Sequence, residues 1–163
     1  MSATEPKVAV LMGSKNDWNI MQAACDQLTA LGIANEARVI SAHRTPQRHH
    51  DFVTEQAPAE GVKVFICGAG MAAHLAGVTA ALTSAPVIGV PLESGGMGSM
   101  DSLLSTVQMP GGMPVATVAV GKAGAKNAAI LAAQMLGLAH PEIADRVKDM
   151  RAKQTAGVPD FPE

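Results

Sequence analysis

Apolar residues fall in short unbroken runs, separated by longer stretches in which they recur every three or four positions. Lys7 to Met12 is almost wholly apolar, the pattern of a strand covered on both faces. Asn16 to Leu31 sets Ile20, Ala24, Leu28 and Leu31 at helical spacing, and Gly32 closes the segment. The alternation repeats down the chain. Further strands are predicted at Asn35 to Ile40, Val62 to Cys67, Val87 to Leu92 and Val115 to Val120. Further helices are predicted from Pro46 to Ala57 (stopping near Pro58), Ala72 to Leu82, Asp101 to Met109 and Gly124 to Leu138. This βαβα rhythm implies a parallel sheet with helices on both faces and right-handed crossovers, a three-layer α/β fold.

The last segment stands outside the alternation. Pro141 to Thr155 reads as a helix with a narrow apolar stripe, Ile143, Val147 and Met150, followed by an extended tail from Val158 to Pro162. Two readings fit it: an arm laid on a neighbouring subunit, which needs only one sticky face, or a helix packed on its own domain. With no internal repeat or linker, residues 1–163 read as a single domain.

Composition adds an expectation of assembly. Charged residues are 16% of the chain and hydrophobic ones 48%, against about 25% charged in a typical domain. Part of the surface is therefore expected to be covered by other copies. The net charge of −2 without a basic run argues against a nucleic-acid partner. Trp18, Phe52, Phe65 and Phe161 are the only aromatics, too few for base-stacking platforms. Cys25 and Cys67 lie in apolar segments with no Cys-x-x-Cys pair and are expected as buried free thiols. No apolar run has the length of a membrane span, and Met1 to Lys7 is polar with no signal core behind it, so a cytoplasmic location without a membrane partner is expected.

The chemistry gathers after the strands, at the sheet edge where open α/β folds bind ligands. Ser41-Ala42-His43-Arg44-Thr45-Pro46 follows the second strand. It puts an imidazole that can move protons near neutral pH beside a guanidinium suited to phosphate. An ordinary solvated His-Arg pair is the plain alternative. Gly13-Ser14-Lys15-Asn16-Asp17-Trp18 follows the first strand: Ser14 can donate to a phosphate and Asp17 can accept from ribose hydroxyls, or Ser14 or Asn16 simply caps the next helix and Asp17 complements its dipole. Gly68-Ala69-Gly70 leads through Met71 to His74 and Leu75, a small-residue surface that suits a flat ring, with a second imidazole that could equally be a capping residue. Ser94 to Met100 is glycine-rich and reads as a mobile flap or a plain connection. Gln108-Met109-Pro110-Gly111-Gly112 fixes a tight turn.

Other chemistries lack their residues. His43, His49, His50 and His74 have no partners at metal-ligand spacing, so no metal is expected. A phosphate-binding Gly-x-x-x-x-Gly-Lys loop, a dinucleotide Gly-x-Gly-x-x-Gly and a Gly-x-Ser-x-Gly nucleophile elbow are all missing from this sequence.

Taken in order, Gly13-Ser14-x-x-Asp17-Trp18, the Ser41 to Pro46 loop, Gly68-Ala69-Gly70 to His74-Leu75, and Asp101-Ser102-Leu103-Leu104-Ser105 to Gly112 resemble the PurE family of purine biosynthesis over essentially the whole chain. Asp17-Trp18 and the Gln108-Met109-Pro110 turn are similar to its class I branch, the N5-carboxyaminoimidazole ribonucleotide mutases. The resemblance implies a flavodoxin-like fold, a homo-octamer, a small ribonucleotide substrate, and no metal or organic cofactor. It implies His43 as the catalytic imidazole, with Ser14, Asp17, Ser41, Arg44, Gly68, Ala69, Gly70, His74 and Leu75 around the substrate. Three positions depart from the family pattern. Asn16 replaces a usual serine, Met71 a frequent third glycine, and the glycine-rich Ser94 to Met100 a segment that usually carries a basic residue. Two alternatives stay open: the class II branch, which carboxylates aminoimidazole ribonucleotide directly with CO2, and a non-catalytic flavodoxin-like nucleotide-binding module.

Overall fold

The computed structural model describes residues 6–161. The polar segment before Pro6 and the tail beyond Phe161 lie outside the described residues. Five parallel strands form one sheet in the order β2-β1-β3-β4-β5: β1 (Lys7–Met12), β2 (Ala34–Val39), β3 (Val62–Gly70), β4 (Val87–Leu92) and β5 (Ala116–Thr117). This is the flavodoxin-like order, in which the chain reverses its direction of growth between β1 and β3.

Alternation along β1 separates two cores. Val8, Val10 and Met12 face α1 (Trp18–Ala30) and α6 (Gly121–Gly137), while Ala9 and Leu11 face the other layer. The α6 side is built from Ala125, Ala128, Ala129, Ala132 and Ala133, all fully buried. Alanine lets that helix lie close to the sheet and to α1, which offsets the shortage of large apolar residues. The opposite core holds Phe52 and Phe65 edge to face, with ring centroids 6.5 Å apart.

Three expectations are corrected, and one is met with an irregularity inside it. The helix opened by Pro46 ends near Pro58, at Ala59, but it runs through α2 (Pro46–Asp51), a π-helical turn at Phe52–Gln56 and α3 (Ala57–Ala59). The wider turn lets the Ala57 N–H reach the Phe52 carbonyl, so the chain absorbs a proline whose missing N–H would break an ordinary helix. Strand β5 is only Ala116–Thr117, at the sheet edge after Pro114. Strand β3 runs on to Gly70, pairing Gly68, Ala69 and Gly70 with Val90, Pro91 and Leu92, so these residues are strand and not loop. Helix α4 (Leu75–Leu82) correspondingly begins late, with His74 at its N-cap.

The carboxyl-terminal helix α7 (Pro141–Ala156) uses its stripe within its own chain. Ile143 and Val147 are buried in the α1–α6 core, and Met150 packs against it. Arg146 Nη1 donates to the Leu31 and Gly32 carbonyls at 2.8 and 2.9 Å, capping the end of α1. Residues 151–161 are exposed.

Candidate functional site

The carboxyl ends of β1, β2, β3 and β4 surround a cavity of about 550 Å³. It lies at the β1/β3 reversal, where the loops after neighbouring strands diverge and leave a crevice.

The β1 loop is held by reciprocal capping. Asp17 Oδ2 accepts from the Ser14 N–H at 2.9 Å, and Ser14 Oγ accepts from the Asn16 N–H at 3.2 Å. Ser14 is thus the cap, Asp17 closes it with a return bond beyond the expected dipole role, and the Ser14 hydroxyl proton is left free to donate. Burial pushes the Asp17 carboxyl above its ordinary range, against the pull of the Ser14 N–H and the Arg44 charge. The β2 loop is fixed by Thr45, whose hydroxyl accepts from the Ser41 N–H at 3.0 Å and donates to the Ser41 carbonyl at 2.9 Å. Pro46 then starts α2 at its first turn. Arg44 crosses between the loops: Nη2 donates to the Gly13 carbonyl at 3.0 Å and Nε lies 3.4 Å from Ser41 Oγ. The result is one cation and two hydroxyls, on Ser14 and Ser41, at the β1–β2 end of the cavity.

The same cavity holds two imidazoles. His43 Nε2 lies 2.8 Å from His74 Nδ1, with the rings nearly perpendicular and their centroids 4.9 Å apart. One ring must present N–H and the other a lone pair, so the pair shares a proton between groups that sequence places 31 residues apart. Both histidines are exposed to the cavity mouth. Ala69, Gly70 and Leu75 line the wall between.

Of the sequence-predicted residues, Ser14, Asp17, Ser41, His43, Arg44, Ala69, Gly70, His74 and Leu75 all line this cavity. Gly68 does not. It is buried in β3, and the place of a Cβ there is filled by the Met21 side chain, so its small size serves the packing of β3 on α1. Met71, the departure from the expected glycine, has φ +55°. L-residues enter that region at a cost of about 1–2 kcal/mol, which explains why glycine would be usual. Sequence reasoning missed Ser94, which lines the cavity from the end of β4. Its only signal was its position just past a strand.

Below the site a buried cluster joins the same elements. His49 Nε2 on α2 lies 2.8 Å from Thr79 Oγ1 on α4; the Thr79 hydroxyl donates to the Leu75 carbonyl at 2.8 Å and accepts from Cys67 Sγ at 3.5 Å. With the Thr79 proton spent on Leu75, His49 donates through Nε2–H. Burial, aided by the His50 charge, lowers its pKa below the ordinary 6.5. The Cys67 thiol is pushed up to about 12 by burial. Among the described residues, no group of three or more His, Cys, Asp or Glu is placed to hold a metal ion, and no helix is long and apolar enough to cross a membrane.

Comparison with known proteins places this geometry. The AIR carboxylase family matches residues 7–157. An N5-carboxyaminoimidazole ribonucleotide mutase of Saccharolobus solfataricus is 57% identical over 150 residues, covering 90% of this chain and 93% of that protein. The enzyme of the same name from Pseudomonas aeruginosa is 51% identical over 156 residues, covering 96% and 95%. The crystal structure of Treponema denticola PurE superposes with a TM-score of 0.84 at 30% identity, covering 93% of this chain and 92% of that one.

Proposed function

Because the chain belongs to the AIR carboxylase family, we propose that it is an N5-carboxyaminoimidazole ribonucleotide mutase, which moves a carboxyl group from the exocyclic nitrogen of an aminoimidazole ribotide to a ring carbon. Similarity to mutases along nearly the whole chain supports this over a binding module. The observation that carries the chemistry is the His43–His74 pair, 2.8 Å apart, in the same cavity as Arg44 and Ser14.

Arg44 and Ser14 bind the substrate phosphate by charge-assisted hydrogen bonds, Asp17 accepts from the ribose hydroxyls, and Ser41 holds Arg44 in place. The ring then lies along Ala69, Gly70 and Leu75, where the absence of bulk lets a flat ring approach the strand. The carbamate is a base-stable adduct, and protonating its nitrogen breaks the N–C bond to give CO2. His43 supplies that proton. The enamine-like ring carbon attacks the trapped CO2, and the proton it loses returns to His43. The imidazole ends as it began, which is why one general acid–base group suffices. His74 acts by orienting the His43 ring through the shared hydrogen bond.

A cytoplasmic homo-octamer belongs to the same reading. The low charge fraction and the exposed Met100, Leu104 and Val107 on α5 (Met100–Val107) support assembly, while the count of eight and the location come from the family resemblance. Residues 151–161 of α7 and the tail remain as the part of the proposed arm not used within the chain.

Supplying the N-carboxylated ribotide alone, or the uncarboxylated ribotide with bicarbonate, tests the function. The first is expected to be consumed and the second to react far more slowly. The reverse order identifies a direct carboxylase, and inertness toward both identifies a binding module.

A further inference from the structure

Two helices start at the active-site cavity, each beside one of its imidazoles. Helix α2 follows the loop that carries His43, and α4 has His74 at its N-cap. The spacing of these helices decides whether His43 Nε2 and His74 Nδ1 keep their 2.8 Å separation, since such a bond weakens beyond about 3.2 Å. The two loops do not set that spacing. Thr45 and Ser41 bond within the β2 loop, and the His74 N–H turns back to the Ala72 carbonyl. Both rings are exposed, where water competes for their nitrogens.

Beneath the rings the packing is apolar. Phe52, Val53, Leu75 and Ala76 share one core. Apolar attraction is non-directional, so it holds the helices together without fixing one against the other to a fraction of an ångström. One polar contact crosses this layer. His49 is 1% exposed and stands a turn into α2; its Nε2 donates to Oγ1 of Thr79, which is fully buried a turn into α4. Thr79 is tied in turn to the Leu75 carbonyl and to Cys67 on β3, the strand that ends in the cavity wall at Ala69 and Gly70. Among the described residues, His43–His74 and His49–Thr79 are the only hydrogen bonds between residues 41–59 and residues 71–82. The upper bond is wet and the lower one dry. A satisfied hydrogen bond in a low-dielectric interior is the stronger of the two and rigidifies what it joins.

We propose that His49 is a positioning residue for the proton-transfer chemistry: its bond to Thr79 fixes α2 against α4 and so holds His43 within hydrogen-bond reach of His74. This rests on the mutase reading above. His49 lies outside the cavity lining and exchanges no proton with substrate. The N–C bond breaks and the C–C bond forms with His43 alone carrying the proton.

The test reads rate and geometry together. His49→Leu keeps much of the bulk and removes the donor. It is expected to lower kcat about tenfold, since a misplacement on the order of 1 Å costs up to about a hundredfold. KM should stay within about twofold, because Arg44 is held by the Gly13 carbonyl and Ser41. The geometric readout is the NMR shift of the imidazole nitrogens. In His49→Leu those of His74 are expected to move toward the shifts they show in His43→Asn, where the partner is gone. His49→Gln, whose amide N–H can donate in place of the ring, and Thr79→Ser, which keeps the hydroxyl, are expected to retain most of the wild-type kcat and the wild-type shifts. Thr79→Val should behave as His49→Leu does, and it carries the test if His49→Leu does not fold. Val147→Ala, a truncation in the other core, is expected to leave kcat and ring shifts at wild type. Wild-type kcat and ring shifts in folded His49→Leu overturn the proposal. A fall in kcat with unmoved ring shifts also overturns it, as does an equal fall in Val147→Ala, which would show a general loosening of the fold. A wild-type enzyme that does not convert the N-carboxylated ribotide overturns instead the mutase reading; the ring shifts need no substrate and still decide whether His49 holds the pair together.

Discussion

Replacing His43 by asparagine separates chemistry from folding. His43 is exposed, lies outside both apolar cores, and makes one side-chain hydrogen bond, to His74. An exposed hydrogen bond contributes about 1 kcal/mol at most, and the neighbouring loop is fixed by Thr45 and Ser41 through bonds that do not involve the imidazole. Stability should therefore change little. The chemical step loses both its acid and its base, since the proton given to nitrogen and the proton taken from carbon pass through one ring. General acid–base catalysis contributes about 10²–10⁴ in rate, so the barrier should rise by about 2.7 kcal/mol or more. The shorter amide of asparagine does not reach the position of Nε2, so His74 is left without its partner as well. The assay is steady-state turnover of the N-carboxylated ribotide followed by ring absorbance, with KM and a chemical denaturation curve on the same preparations. A fall in kcat of about a hundredfold or more, with KM and unfolding midpoint near wild type, is expected. Near-normal turnover would refute the assignment of both proton transfers to His43.

Arg44→Ala should raise KM with a smaller change in kcat, since its guanidinium serves the phosphate end; a collapse of kcat at unchanged KM, read from steady-state kinetics, would place Arg44 in the chemistry. Because burial holds the His49 pKa below the ordinary 6.5, the unfolded chain binds the proton more readily, and stability is full above pH 6.5 and lost as pH falls below it; urea unfolding between pH 7.5 and 5.5 should show a shallower acid loss in His49→Gln than in wild type, and equal slopes would disprove it. Deleting residues 151–163, which leaves Ile143 and Val147 in place, should yield smaller species in light scattering if the end of α7 reaches a neighbouring subunit; an unchanged subunit count and full activity would remove the arm from the assembly.

Much of this fold is legible along the chain because it rests on local periodicity. The apolar run of Lys7 to Met12, the helical spacing of Ile20 to Leu31 and the punctuation by Pro46 and Gly32 each report their own element. The loops that line the cavity were legible for the same reason: in a parallel sheet, whatever follows a strand stands at one edge. Tertiary structure decided what depends on partners distant in sequence. Gly68 looked like a wall residue and is a packing residue, because Met21 occupies the space beside it. The stripe of Ile143, Val147 and Met150 had an apolar face but no stated partner, and only the packed chain shows that α1 and α6 take it. The helix across Pro58 survives through a π turn whose bond spans five residues, a register that propensity does not reveal. His43 and His74 become a pair, and Ser94 comes to lie over Gly70, only when β2, β3 and β4 bring their ends together. Hydrophobic pattern encodes which face of an element is buried; the identity of the group it meets is a property of the assembled sheet.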